Sequence, residues 1–394
     1  MSASVIHHIA VKSRRPGALL LLALAGIILA ACSNTSSPNA ATGIGDAQHT
    51  PPTAATPTTI GAMPTPSITA SGTPQSTALP SPTPTVTPTA TSSPPPVTEV
   101  TWSFPIGMPG RPLGDGFVIR HVYAAENTWF NPGWWHTAED WYLQAGDSTG
   151  ARVYAAADGE VVFAGANYPG RVVIVQHADT LYSMYGHLDP QLAVQVGQRV
   201  ARGDLLGTVG PGNERAAGHL HFEIRTFLTK REINGAAPRY GYKCGTNCPP
   251  GPGYWPIDAP EHPSALGWRN PTYAIASRAF GAHQGWLGEV VVATQPAAPR
   301  VVLWSAPPER SAERQSLGEL GLTPGERFVL LDVHAGADDT LDTSAQNVDL
   351  WYYIQLGDGR PAWVQAAVPA TLETGSDGRP SSVQFNFWPA VIAQ

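Results

Sequence analysis

A mainly β protein is the fold class this chain predicts, and three observations carry that prediction. Glycine (40) and proline (39) punctuate its 394 residues densely enough that turns and short strands outweigh helices. Between Arg152 and Thr226, short runs rich in valine, isoleucine and aromatic residues alternate with glycine-containing turns. No 3.6-residue apolar period is sustained across that stretch. Charged residues are sparse, at 13%, and the net charge is −7, which argues against a nucleic-acid binder. The length accommodates two domains with cores of their own.

The chain begins with a basic pair, Arg14-Arg15, followed by an apolar run from Pro16 to Ala31. That run is shorter than the ~20 apolar residues that span a bilayer as a helix. It ends Leu29-Ala30-Ala31-Cys32, which resembles a bacterial lipoprotein processing box. The resemblance implies cleavage before Cys32 and lipidation of its sulfur; the alternative is an uncleaved anchor. Either way, the rest of the chain is exported and tethered to the cell membrane, facing the cell wall. Residues 33–98 are almost entirely Ser, Thr, Pro and Ala, with Asp46 the one acidic or basic charge. Such a segment cannot bury enough apolar surface to offset chain entropy and is expected to be a disordered tether. As a flexible coil it spans roughly 45 Å, and about 200 Å if fully extended as polyproline II.

Order is expected from Trp102 onward. Arg152–Ala157 and Glu160–Gly165 read as strands flanking Asp158-Gly159, a two-residue hairpin turn. Arg171–His177 and Thr180–His187 follow, then two short strands set off by Gly197 and Gly203, and a final strand His219–Thr226. Residues 227–272 form a Pro- and Gly-rich excursion, expected to be mostly loop. It holds Cys244 and Cys248, for which a local disulfide is the default in an oxidising compartment. From residue 285 further short strands end in a Gly357-Asp358-Gly359 hairpin and read as a small β-barrel. The expected organisation is a signal peptide (1–31), a tether (32–100), a first domain (101–284) and a second (285–394).

The chemistry centres on Gly218-His219-Leu220-His221-Phe222-Glu223. On a strand, His219 and His221 share one face while Leu220, Phe222 and Ile224 point into a core. His-x-His alone is a weak signal. His136 and Asp140, four residues apart, and His187 in Tyr185-Gly186-His187-Leu188 strengthen it. In that order the three motifs resemble the lysostaphin/LytM-type zinc endopeptidases that cut peptidoglycan peptides, over roughly residues 130–226. The framework motifs Val153–Val161 and Val196-Gly197…Val200…Gly203 fit the same family. The resemblance implies an antiparallel β-sandwich domain holding one zinc ion. His136, Asp140 and His221 would be its ligands, and His187 and His219 would act on the substrate. Two imidazoles and a carboxylate leave a fourth position open, as in catalytic rather than structural zinc sites. One position departs from the family pattern: Ala138 stands where glycine is usual, which is tolerable only if the backbone there keeps a negative φ. The C-terminal region, on Leu303–Pro307 and Trp351…Gly357-Asp358-Gly359…Trp363-Val364, resembles bacterial SH3-like domains.

The expected function is hydrolysis of peptidoglycan peptides by a monomeric, membrane-tethered enzyme. A second class is a catalytically silent activator or scaffold of another wall hydrolase, but degenerate members lose ligands and this chain keeps all five residues. A lipoyl- or biotinyl-carrier module is excluded, since no lysine lies between Lys12 and Lys230.

Overall fold

The computed structural model describes residues 100–128, 130–165, 171–213, 216–230, 233, 239, 253–276, 288–336 and 348–394. Cys32, Cys244, Cys248 and the 33–98 segment lie outside the described residues. Residues 89–394 form one compact unit.

The strands before the excursion are β1 (Ile106–Gly107), β2 (Phe117–His121), β3 (Trp134–His136), β4 (Glu139–Leu143), β5 (Arg152–Tyr154) and β6 (Gly159–Gly165). They continue with β7 (Arg171–Ala178), β8 (Leu181–Leu188), β9 (Arg199–Val200), β10 (Leu205–Thr208) and β11 (Leu220–Arg225). The excursion contributes β12 (Tyr254–Pro256), α1 (Pro263–Leu266), β13 (Trp268–Arg269) and α2 (Pro271–Ala276). After it come β14 (Gly288–Val292), β15 (Arg300–Trp304), β16 (Ser316–Gly321), β17 (Arg327–Ala335) and β18 (Leu350–Gln355). Last are β19 (Pro361–Gln365), β20 (Ala367–Thr374), β21 (Pro380–Phe385) and β22 (Phe387–Pro389).

The protein is mainly β with antiparallel sheets, as its sequence predicts. Ten strands form the sheet that carries the site, in the order β20-β21-β2-β4-β11-β8-β7-β6-β9, with β13 also paired to β11. A three-stranded sheet, β1-β5-β10, supplies Val153, Tyr154 and Leu206 to the shared core. The alternation of β11 explains its central place. Leu220, Phe222 and Ile224 are fully buried in the main core, and the histidine side is covered by other elements.

Two expectations are corrected. Asp158-Gly159 is not a hairpin turn, because β5 pairs with β1 and β10 while β6 pairs with β7 and β9. A Cβ at Gly159 would sit 2.4 Å from the Gln176 carbonyl oxygen, so this glycine permits close strand approach rather than a turn. The excursion, expected to be mostly loop, holds only short pieces of regular structure, β12, α1, β13 and the start of α2, and Tyr254 of β12 lines the site. The boundary expected at residue 285 does not separate the sheets. β21 pairs with β2 at Val383 and Ile119, so the C-terminal segment extends the N-terminal sheet.

Packing follows that connectivity. Phe104, Trp141, Phe385 and Trp388 form one buried aromatic cluster, with Phe385 and Trp388 stacked at 4.1 Å and Trp141 stacked on Phe385 at 5.8 Å. Removing any one such ring costs about 3–5 kcal/mol. The remaining C-terminal strands make a seven-stranded antiparallel sheet, β16-β15-β19-β18-β17-β14-β22. The Gly357-Asp358-Gly359 turn joins β18 to β19 as expected, with Gly359 at φ +85°.

Candidate metal centre and active site

Strand register brings the histidines together. His221 on β11 stands opposite Asp140 on β4, and Asp140 in turn stands opposite His121 on β2. Directly opposed residues project from the same face within contact distance of each other. His136 arrives from β3, which is tied down by Tyr254 opposite it and by Ala124 and Ala125 bonding its backbone.

Three ligand atoms converge. His136 Nε2, Asp140 Oδ1 and His221 Nδ1 form a triangle whose sides are each 3.2 Å. Zinc bonds of about 2.0–2.1 Å in tetrahedral geometry place ligand atoms about 3.3 Å apart, so the triangle has the dimensions of a zinc site. All three residues are buried. Ala138, between two of them, is fully buried and lacks a positive φ, so the methyl group is accommodated without backbone strain.

The electrostatics also call for a cation. Burial pushes the Asp140 carboxyl up, but the neighbouring His136 and His219 outweigh it and hold the group well below the usual range. His221 is opposed by burial, yet hydrogen bonds to Asp140 and Glu223 raise it to about 9. An imidazole flanked by two carboxylates retains positive charge, and a metal ion can take the place of that proton.

Behind the triangle is a support shell that the sequence alone leaves ambiguous. Glu223 reads equally well as a solvated strand residue, but it is fully buried. Its Oε1 accepts from the Thr137 hydroxyl and lies 3.2 Å from His221 Nε2; its Oε2 accepts from the Trp268 indole and pairs with Arg225. Glu223 therefore fixes the orientation and tautomer of His221, leaving Nδ1 for the centre. His121, which reads from the sequence as an ordinary surface or hydrogen-bonded histidine, is buried with its Nδ1 3.3 Å from Asp140 Oδ2. Trp135, whose place next to His136 suits either a substrate groove or a core, packs with Tyr123, Phe227, Trp255 and Trp268.

His219 and His187 sit beside the triangle. His219 Nδ1 lies 3.0 Å from the Ala217 carbonyl oxygen, so it donates there and leaves the Nε2 lone pair free, 3.8 Å from Asp140 Oδ2. Burial lowers the pKa of His219, and that of His187 falls well below the usual value for the same reason. His187 reaches the site through backbone strain. Gly186 lies opposite His221, so the next residue of a regular strand would point to the far face. His187 instead adopts φ +60°, at a bulge where Gly186 and His187 face the single residue Val172. Its ring then comes within 4.3 Å of His219. Asp140, His187, His219 and His221 line a pocket of about 160 Å³ together with Phe130, Asn131, Pro211 and Tyr254.

Residues 140–235 match the description Peptidase family M23. The chain is 39% identical over 85 residues to the cell division protein DipM of Caulobacter vibrioides, covering 21% of this chain and 14% of DipM. It is 37% identical over 76 residues to the peptidoglycan DD-endopeptidase ShyA of Vibrio cholerae, covering 19% and 17%. To the murein hydrolase activator NlpD of Escherichia coli it is 38% identical over 85 residues, covering 20% and 21%. The chain thus spans less than a quarter of the length of each of these relatives. Among solved structures, it is similar to the catalytic domain of the M23 protein EnpA from Enterococcus faecalis, at 25% identity and a TM-score of 0.25, covering 30% of this chain and 88% of that one.

Proposed function

The chain carries a peptidase family M23 domain of the lysostaphin/LytM type, and from that premise we propose that it is a zinc endopeptidase hydrolysing peptide bonds in peptidoglycan. The observation that carries this reading is the 3.2 Å triangle of His136 Nε2, Asp140 Oδ1 and His221 Nδ1 with two further imidazoles beside it. Those three residues would hold the ion. Bound there, zinc would supply Lewis-acid polarisation of the scissile carbonyl and would lower the pKa of a water towards about 7.

The remaining work belongs to the protein's own groups. His219, with its Nε2 lone pair facing the centre, takes the proton of the attacking water and passes it to the leaving amine. His187 donates a hydrogen bond to the oxygen that becomes negative in the tetrahedral state. Glu223 keeps His221 from rotating out of register. Lipidation of Cys32 would tether the enzyme on the outer face of the membrane, and the 33–98 segment would let it reach the wall. The disulfide between Cys244 and Cys248 would pin the excursion, and the C-terminal seven-stranded sheet would supply an SH3-like module that binds the wall.

A second reading, a scaffold that activates another hydrolase, draws support from the similarity to a murein hydrolase activator. One experiment separates the two. The zinc-loaded chain is incubated with purified peptidoglycan, and released fragments are compared by mass spectrometry with those from His221→Ala. Peptide-cleaved fragments from the wild type alone are expected. Intact walls in both samples, with zinc bound to the wild type, overturn the endopeptidase reading in favour of the activator.

A further inference from the structure

The face of His219 turned away from His187's strand has a partner that the proposed reaction does not use. The His219 imidazole lies parallel to the Tyr142 ring, with centroids 4.5 Å apart and planes 14° from coplanar. Tyr142, on β4 and two residues beyond Asp140, is itself nearly fully buried. The Arg120 guanidinium from β2 lies over the same ring, 5.0 Å from its centroid. Arg120 is in turn held by an ion pair and hydrogen bond to Glu373, near the end of β20. The next residue, Thr374, accepts a hydrogen bond from Thr128 through its carbonyl oxygen, in the loop that leads to the pocket residues Phe130 and Asn131.

These contacts form a continuous relay from the C-terminal β20–β21 hairpin to the proposed proton carrier. We propose that Tyr142 is a positioning residue for His219, and that the hairpin, through Glu373 and Arg120, holds Tyr142 in the parallel stack. His219 is held at Nδ1 by one hydrogen bond to the Ala217 carbonyl, and the His187 ring meets it tilted by 53°, so neither contact by itself removes the ring's freedom to turn about that bond. A flat aromatic face at stacking distance removes that freedom and aims Nε2 at the centre. The same face also supports the imidazolium that forms when His219 carries the proton.

The proposal rests on the assignment of His219 as proton carrier, so the test reads position and catalysis separately. In the full zinc-loaded chain, Tyr142→Leu removes the aromatic face, Tyr142→Phe retains it, and Glu373→Gln loosens the relay at its far end. The readouts are zinc affinity by chelator competition, kcat and KM on a cross-linked wall peptide, and the NMR shift of the His219 ring protons. Tyr142→Leu is expected to lower kcat by about tenfold to a hundredfold, with KM and zinc affinity unchanged. Tyr142→Phe restores most of the rate, and Glu373→Gln produces a smaller loss in kcat alone. The ring-current shift of His219 is lost in the leucine variant and kept in the phenylalanine one. An unchanged kcat in Tyr142→Leu overturns the proposal, as does a parallel fall in zinc affinity, which would mark a purely structural role. If the wild type does not cleave, the functional reading fails on its own, and the His219 shift alone decides: an unaltered shift in Tyr142→Leu overturns the stack as a positioning contact.

Discussion

His187 and Glu223 do their work through features that a residue name does not carry. The sequence places His187 beside the site by resemblance, but the means is a left-handed backbone at a bulge, and nothing in the string Tyr-Gly-His-Leu announces it. Such a conformation costs an L-residue roughly 1–2 kcal/mol, which the surrounding ladder must overcome. A pair of variants isolates that cost, since both lack the imidazole. His187→Gly is expected to be more stable than His187→Ala by about 1 kcal/mol in urea denaturation, while both lose cleavage. Equal stabilities would show that the strain is relaxed in solution. Glu223 was ambiguous for a related reason. Strand alternation puts it on the histidine side, and whether that side is wet depends on what covers it. The cover comes from Trp268, distant in sequence, whose indole bonds the carboxylate.

At the scale of elements, the strands between Arg152 and Arg225 were legible because alternation and glycine turns are local signals. The excursion was not, since its strands β12 and β13 are two or three residues long and form only against β3 and β11. Their pairing makes this segment a wall of the metal centre rather than a passive loop. Gly253 marks the closest approach: it sits at φ +75°, and a Cβ there would lie 3.2 Å from both Nε2 and Cε1 of His221. Gly253→Val therefore strains the backbone and presses on the imidazole, displacing Nδ1 from the triangle. Zinc affinity is expected to fall by about tenfold or more, as seen when support around a ligand is disturbed. Titration against a chelator checks this, and wild-type affinity in the variant would show that the wall yields instead.

For the whole molecule, pH dependence follows from groups outside the centre. His177, at the end of β7, donates from Nδ1 to the Asp158 carbonyl oxygen at 2.8 Å and lies 2.7 Å from the Ser183 hydroxyl through Nε2. Trp102 meets its ring edge-on at 4.8 Å. Burial lowers its pKa from 6.5 to about 4. The unfolded chain then binds this proton more readily than the native one. The contribution of this histidine to stability is complete above pH 6.5 and declines as pH falls towards 4, by no more than about 3 kcal/mol given the residue's partial exposure. His177→Gln should flatten that slope in chemical denaturation followed from pH 7 to pH 4, and an unchanged slope would assign it to other groups. What the sequence could not display at this scale is the joining of an early strand to a late one, because the pairing of Ile119 with Val383 leaves no local trace. That pairing also sets a schedule. A sheet whose second strand is completed by its twenty-first cannot close early in synthesis, and pairing across so long a stretch of chain is slow to form. The strand carrying Asp140 pairs with β2, the strand that this late pairing completes, so the candidate centre would be fully framed only after nearly all of the chain has emerged, a built-in delay between translation and a finished site.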